Sequence, residues 1–184
     1  MKHFKNFKTC VYCTAQTLAS LDETTLARDY AYLEKYVGID KVYLETYRDG
    51  TWVAIDHMKM IQNFFKKHGV EIAGGITTVT PPLEKDDVKR QRLFQTFCYS
   101  NEAMRTYLKK IVTYTAELFD EIILDDFFFT SCTCDDCLRE RSNLSWAEFR
   151  SKKMIDVAEN LILKPAKLAN PSVKVTIKYP NWRE

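Results

Sequence analysis

Residues 121–137, EIILDDFFFTSCTCDDC, combine a short apolar run, two adjacent carboxylates and a cluster of cysteines. The apolar run at residues 122–124 is continuous, as expected for a parallel strand that is buried on both faces. Asp125 and Asp126 follow it directly, at the carboxyl end of the strand, where parallel α/β folds place their active sites. We therefore expect the functional edge of the molecule at the end of this strand.

Strand and helix patterns alternate along the rest of the chain. Strands are predicted over residues 8–14, 41–47, 70–76, 121–126 and 173–178. Helices are predicted over residues 20–37, 56–68, 101–119 and 145–163, with capping residues Ser20, Ser100 and Ser145. This alternation favours a parallel sheet with right-handed crossovers, and no glycine-rich phosphate loop follows the first strand.

The predicted fold is therefore α/β, of the (β/α)8 TIM-barrel type. A complete barrel has eight strands and typically about 250 residues, whereas this chain of 184 residues has about five βα units. We interpret residues 1–184 as a single domain, the N-terminal portion of such a barrel. Taken alone, a barrel of five units is expected to be inactive.

Composition and charge exclude several classes of partner. A net charge of +2 and the absence of an arginine-rich run give no reason to expect nucleic acid. No apolar run approaches the roughly 18 residues that a membrane span needs, and the basic start MKHFKNFKTC has no apolar core after it. Without an export signal, we expect a reducing compartment, the cytoplasm by default.

Four of the six cysteines have a spacing typical of a metal site. Cys132, Cys134 and Cys137 supply three thiolates from one tight loop, and Cys98 lies in the preceding inter-strand segment. Loops that follow neighbouring strands meet at one end of a barrel, so all four sulfurs are expected to bind one structural zinc ion. Free thiols or a disulfide are the alternative interpretation.

Cys10 and Cys13 also have C-x-x-C spacing. Residues three apart on a strand point to opposite faces, so both are predicted to be small buried residues and not metal ligands. An iron–sulfur radical enzyme is a rival for the metal-bearing fold, but its C-x-x-x-C-x-x-C cluster is absent after the first strand. This rival is weak.

The order of these motifs resembles a known family. A cysteine in an F-C-Y-S segment precedes a helix, a strand ending in acid, the C-x-C-x-x-C loop and a W-x-x-F-R helix. This order is similar to that of the zinc-cluster β-galactosidases and related glycoside-hydrolase-like barrels. The resemblance spans roughly residues 8–182 and is most specific over residues 97–150. It implies the zinc ligands Cys98, Cys132, Cys134 and Cys137.

The acids at the end of the fourth strand depart from that family. The β-galactosidases end this strand with Asn-Glu, where this chain has Asp125 and Asp126, so neither the role of the acid nor the galactoside substrate is carried over. Glycosidases normally need two carboxylates about 5–5.5 Å or more apart, and neighbours on a strand point opposite ways. We predict Asp126 as the catalytic or sugar-binding acid, and Asp125 as a ligand of loop backbone.

Other strand ends supply candidate substrate-binding residues. Aromatic rings suit the apolar faces of sugars, and a lysine can donate to a hydroxyl group. The candidates at the ends of the second and fifth strands are Glu45, Tyr47, Lys178, Tyr179 and Trp182. Phe127, Phe128 and Phe129 either line a pocket or anchor their loop on the barrel, and the second interpretation is favoured.

Three functions remain open. The leading hypothesis is a glycoside hydrolase that acts on a carbohydrate, with zinc bracing the loop beside the active-site face. The second is a non-catalytic carbohydrate-binding or vestigial partial barrel, which would self-associate through its open sheet edges. The third is a hydrolase with a catalytic metal ion at Asp125 and Asp126. This hypothesis ranks last because such metal sites generally contain histidines or further carboxylates at neighbouring strand ends.

Overall fold

The computed structural model describes residues 4–79 and 93–178. Five of its strands are parallel and lie side by side in the order in which they occur along the chain, and a sixth, two-residue strand pairs antiparallel with the second. Consecutive parallel strands in sequential order are the arrangement of a (β/α) barrel. The predicted α/β class, compatible with an incomplete barrel, is confirmed. In chain order the strands are β1 (Cys10–Cys13), β2 (Lys41–Arg48), β3 (Thr51–Trp52), β4 (Glu71–Ile76), β5 (Glu121–Leu124) and β6 (Lys174–Ile177).

Helices connect the parallel strands. A π-helical segment, Val157–Leu163, continues the last long helix into a further turn that runs past Pro165. The predicted helix end near residue 163 is therefore wrong, because Pro165 lies where the hydrogen-bond pattern changes from π-helical to α-helical and the chain stays helical past it. No helix in the described ranges is both long and apolar enough to cross a membrane. The helices are α1 (Ala15–Ser20), α2 (Glu23–Tyr36), α3 (Ile55–Lys67), α4 (Glu102–Leu118), α5 (Asp135–Arg141), α6 (Trp146–Asp156) and α7 (Lys164–Ala169).

Helix α2 begins later than the sequence pattern predicts. The cap is Asp22 and not Ser20, since the backbone N–H of Thr25 donates to Asp22 Oδ1 at 2.7 Å and the Asp22 N–H donates to Thr25 Oγ1 at 2.9 Å. Ser20 instead ends α1. Two overlapping capping patterns compete here, and the aspartate takes the cap.

The two faces of the sheet differ in character. Leu44, Gly74 and Ile122 are register partners, and the face they share packs on α4: a Cβ at Gly74 would lie 2.7 Å from the side chains of Phe119 and Thr115. This face belongs to the main hydrophobic core. The opposite face, which would be the interior of a barrel, is more polar and partly exposed.

Close packing also occurs on that opposite face. The rings of Tyr12 and Tyr43 stack there with centroids 6.4 Å apart. Tyr12 lies directly over Gly75, where a Cβ would be 2.7 Å from the phenolic oxygen. Glycine is therefore required at this position by the close approach of a ring and not by the backbone conformation.

A β-bulge changes the direction of side chains near the end of β2. The register with β4 shifts between Glu45 and Tyr47. Thr46 Oγ1 lies 2.6 Å from Thr115 Oγ1 of α4, and Tyr47 packs edge-on against Tyr107, also on α4. Two successive side chains thus face the helices, as expected where one extra residue enters a strand.

Candidate functional site

The carboxyl ends of β5 and β6 bring two acids and one lysine together. The backbone N–H of Lys178 donates to the carbonyl of Leu124 at 2.9 Å, which aligns the two strand ends. Its ammonium group then lies 3.1 Å from Asp125 Oδ1 and 2.9 Å from Asp126 Oδ2. These hydrogen bonds, to Asp126 first and then to Asp125, raise the pKa of Lys178. One cation therefore binds both carboxylates.

This arrangement corrects the prediction that the two acids point opposite ways. Strand β5 ends at Leu124, and Asp126 lies in a turn, where the alternation of side chains along a strand no longer applies. Asp126 is the more accessible acid, with 44% of its side chain exposed against 16% for Asp125. The ammonium group of Lys178 thus supplies both carboxylates with a positively charged partner.

Glu45 is the centre of a buried hydrogen-bond network at the ends of β1, β2 and β4. Its side chain is completely buried. Oε2 accepts from the backbone N–H of Ala15 at 2.7 Å and from Arg48 Nε at 2.9 Å. Oε1 accepts from the hydroxyl of Tyr12 at 2.8 Å and from Thr77 Oγ1. Burial, and then the charge of Glu45, raise the pKa of Tyr12, which keeps its proton for this bond.

The predicted substrate-binding residues of β2 are therefore not accessible. Glu45 faces the expected side of the sheet, but protein groups already occupy both its oxygens. Tyr47 is fully buried in an aromatic cluster with Trp52 and Tyr107, and its hydroxyl accepts from the Gly50 N–H at 3.1 Å. The bulge at this point turns the ring toward the helices. Of the other candidates, Lys178 lies at the mouth, whereas Tyr179 and Trp182 lie outside the described residues.

Arg48 joins the buried network to the acids, and the sequence analysis missed it. Its Nη2 lies 3.8 Å from Asp125 Oδ2, and its guanidinium group lies over the ring of Phe127, 5.8 Å from the centroid. The predicted second strand ends at residue 47 and leaves Arg48 outside it, whereas β2 includes Arg48, and Asp49 and Gly50 form a tight turn with positive φ at both residues. A two-residue Asp-Gly link is a strong hairpin signal, and it could have placed Arg48 at a strand end.

The second part of the site is a compact cluster of four buried cysteines. The sulfurs of Cys98, Cys132, Cys134 and Cys137 all lie within 4.8 Å of one another. Cys98 Sγ is 3.6 Å from Cys134 Sγ and 3.7 Å from Cys137 Sγ, and the last two are 3.8 Å apart. These distances exceed a disulfide bond, near 2.05 Å. They match the edge of about 3.8 Å of a tetrahedron with Zn–S bonds near 2.3 Å.

The charge state of the cluster also suits a cation. Hydrogen bonds from the thiols of Cys137 and Cys98 lower the pKa of Cys132 to about 2. The same contact with Cys132 raises the pKa of Cys98 and, to about 12, that of Cys137. Adjacent thiolates repel each other, so a bound metal ion would supply the positive charge that lets all four ionise. The four residues present could therefore hold a metal ion.

Local structure explains how distant cysteines meet. Cys134 is the residue before α5, and Cys137 lies in its first turn. Cys98 precedes α4, and its N–H donates to Met104 Sδ at 3.2 Å. The side chains of Phe149 and Trp146 cover the cluster. By contrast, Cys10 is exposed and Cys13 half-buried on β1, so the prediction that both are buried is wrong; β1 is an edge strand, with fewer residues to cover it.

Comparison with known proteins identifies the family. A family model described as "Probable glycosyl hydrolase, catalytic domain" matches residues 1–184. The chain belongs to this glycosyl hydrolase family. An uncharacterized protein of Saccharolobus solfataricus is 32% identical over an alignment 204 residues long. The alignment covers 98% of this chain and 33% of the archaeal protein. The chain thus spans about a third of the length of this curated relative.

Proposed function

We propose that the chain forms the first units of a (β/α)8 barrel that hydrolyses glycosidic bonds, with Asp126 at the active centre. The observation that supports this most is the joining of Asp125, Asp126 and Lys178 at the carboxyl ends of two neighbouring parallel strands. Barrel enzymes carry their chemistry at this end of the sheet. The match to a family described as probable glycosyl hydrolases supports this reaction class.

The residues at this mouth have distinct proposed roles. Asp126, the more exposed acid, contacts the sugar at the reacting bond. Lys178 orients both carboxylates and donates to a substrate hydroxyl group. The ion pair of Asp125 with Arg48 keeps the ends of β2 and β5 together, and Glu45 orients Arg48 by accepting a hydrogen bond from it. The second catalytic carboxylate of a glycosidase would come from a later strand of the barrel.

We further propose that the metal at the cysteine cluster is zinc and that it is structural. Four thiolates leave no open coordination position, and closed sites of this kind stabilise loops instead of catalysing reactions. The spacing of the Cys98, Cys134 and Cys137 sulfurs, close to the edge of a zinc–thiolate tetrahedron, supports zinc, and Cys132 lies within 4.8 Å of them. The likeness to the zinc-cluster β-galactosidases in particular is part of this proposal, without transfer of their substrate.

The hydrolase activity is tested on the full product of the reading frame that encodes this chain. It is incubated with α- and β-p-nitrophenyl glycosides of glucose, galactose, mannose, xylose, arabinose and fucose. We expect release of p-nitrophenol from at least one, and a loss of about 10²–10⁴-fold in kcat in Asp126→Asn. Asp120→Asn is the matched control, because Asp120 is exposed immediately before β5, at the opposite end of the same strand.

The outcomes separate the parts of this proposal. Hydrolysis that survives in Asp126→Asn would remove Asp126 from the active centre. Binding of sugars without any hydrolysis would instead support the second candidate, a non-catalytic carbohydrate-binding barrel. One observation favours this candidate. Within residues 4–79 and 93–178, Lys178 binds both mouth acids, Asp125 and Asp126, and both oxygens of Glu45 already accept hydrogen bonds from protein groups, so none of these carboxylates lacks a protein partner. In that case we propose self-association through the β1 and β6 edges, which sedimentation would detect.

A further inference from the structure

Three phenylalanines form a patch beside the proposed active centre. The ring of Phe94 meets Phe127 edge-to-face with centroids 5.5 Å apart, and Phe129 in the same manner at 6.5 Å. Half of Phe94, 50%, remains exposed, and Phe127 and Phe129 are half-buried. We call Phe94, Phe127 and Phe129 the phenylalanine patch.

Phe94 is held in a backbone conformation that bulky residues rarely adopt. Phe94 and Gln95 have φ angles of 53° and 55°, in the left-handed region. Such a conformation is costly for a non-glycine residue and persists only where the surrounding structure enforces it. The N–H of Leu93 donates to Ser131 Oγ at 2.8 Å, and the N–H of Phe97 donates to the carbonyl of Thr78 at 3.1 Å. These bonds hold the backbone on both sides of Phe94, so the position from which its ring projects is set by the protein itself.

The patch adjoins the carboxylates through Arg48. The guanidinium group that lies over the Phe127 ring is the one that approaches Asp125 at 3.8 Å. An apolar aromatic surface and a set of charged hydrogen-bonding groups thus share one mouth. A pyranose ring has the same two-sided character, with C–H bonds on one face and hydroxyl groups around its rim.

Anchoring of the loop does not account for the exposure of Phe94. The neighbouring Phe128 performs that task, because it is 2% exposed and packs on Tyr99 with ring centroids 6.4 Å apart. A large ring that is half exposed and held by a strained backbone beside an acid cluster suits a ligand contact.

We infer that the phenylalanine patch is a stacking subsite that binds one pyranose ring of the substrate, with Phe94 as its main contact. This inference rests on the proposed function, since it assigns a binding surface to the same mouth. C–H bonds carry partial positive charge and are attracted to the negative face of an aromatic ring. The subsite would bind ground state and transition state alike, so its loss should raise KM more than it lowers kcat.

The test compares Phe94→Ala with Phe94→Trp in the full product of the reading frame, on whichever p-nitrophenyl glycoside it hydrolyses. We expect Phe94→Ala to raise KM about tenfold with kcat within about threefold of wild type, and Phe94→Trp to restore KM. Leu93→Ala is the matched control, because Leu93 is exposed in the same turn and its bond to Ser131 comes from the backbone. Equal urea midpoints would show that the variants are folded.

Failure of the subsite and failure of the hydrolase are distinguishable. If wild type hydrolyses a glycoside and Phe94→Ala keeps its KM within about twofold, the subsite is overturned and the hydrolase stands. If nothing is hydrolysed, methyl glycosides of the same six sugars are titrated and followed by proton NMR. Upfield ring-current shifts of sugar C–H protons that vanish in Phe94→Ala would support the subsite without hydrolysis. No binding, or shifts that persist in Phe94→Ala, would overturn it.

Discussion

Removal of the buried carboxylate of Glu45 should destabilise the protein more than removal of an exposed carboxylate does. In Glu45→Ala, the Ala15 N–H and the Arg48 guanidinium group both lose their acceptor at a buried position. Breaking a buried charge pair by deleting one partner costs about 3–5 kcal/mol. Since Arg48 is partly exposed and keeps Asp125 nearby, we expect the lower end, about 3 kcal/mol.

Glu45→Gln should fall between wild type and Glu45→Ala. The amide oxygen can still accept from Ala15 and Arg48, and the amide N–H₂ can donate to the hydroxyls of Tyr12 and Thr77, which are able to rotate. The charge is lost, and so is the second contact of Arg48, whose Nε lies 3.1 Å from Oε1, so we expect a cost of about 1–2 kcal/mol. Glu117→Gln, on the exposed side of α4, should change stability by less than about 0.5 kcal/mol.

Urea unfolding followed by circular dichroism measures these differences. A loss of about 3 kcal/mol, with m between about 1 and 3 kcal/mol/M, lowers the midpoint by about 1–3 M. The slope m should be the same in all four proteins, because none of the changes alters the surface exposed on unfolding. A midpoint for Glu45→Ala that coincides with that of Glu117→Gln would refute the role assigned to this network.

Two further predictions concern packing and metal. Gly75→Ala should destabilise the protein by about 1–3 kcal/mol, because the new Cβ would lie 2.7 Å from the Tyr12 hydroxyl and displace it from Glu45. Thermal unfolding measures this loss, and an unchanged midpoint would contradict the close packing of Tyr12 on Gly75. Cys134→Ser should lower both zinc content, measured by elemental analysis after purification in zinc-containing medium, and the unfolding midpoint, whereas Cys10→Ser on the exposed end of β1 should retain one zinc per chain. Normal zinc occupancy in Cys134→Ser would rule out the four-sulfur site.

Local patterns predict the sheet and the cysteine cluster well. Runs rich in β-forming residues that alternate with capped helices identify the five parallel strands, because strand-forming residues and helix caps are both readable over a few positions. The cysteine cluster follows from spacing and from the meeting of neighbouring loops at one end of a barrel. The strands follow from patterns a few residues long, and the cysteine cluster follows from residue spacing together with a general rule of barrel topology. A single sequence is enough for both.

The site details depend on features without such a signal. The orientation of Tyr47 is set by one extra residue in β2, which leaves the apolar pattern of the strand almost unchanged. The joint binding of Asp125 and Asp126 by Lys178 depends on where a strand ends and a turn begins, to within one residue. The position of Arg48 is an exception, because the Asp49-Gly50 pair after it indicates a hairpin turn that would place Arg48 at a strand end.

The pairing of Lys178 with the two acids has a consequence for synthesis of the protein. The lysine follows Asp125 by 53 positions, so at about 5–20 residues per second a ribosome adds it about 3–10 s later. The cysteine cluster is complete much earlier, at Cys137, 39 positions after Cys98. On a nascent chain the four cysteines, which could hold a metal ion, can come together while Asp125 and Asp126 still lack Lys178. The mouth is thus among the last parts of this segment to acquire its native electrostatics.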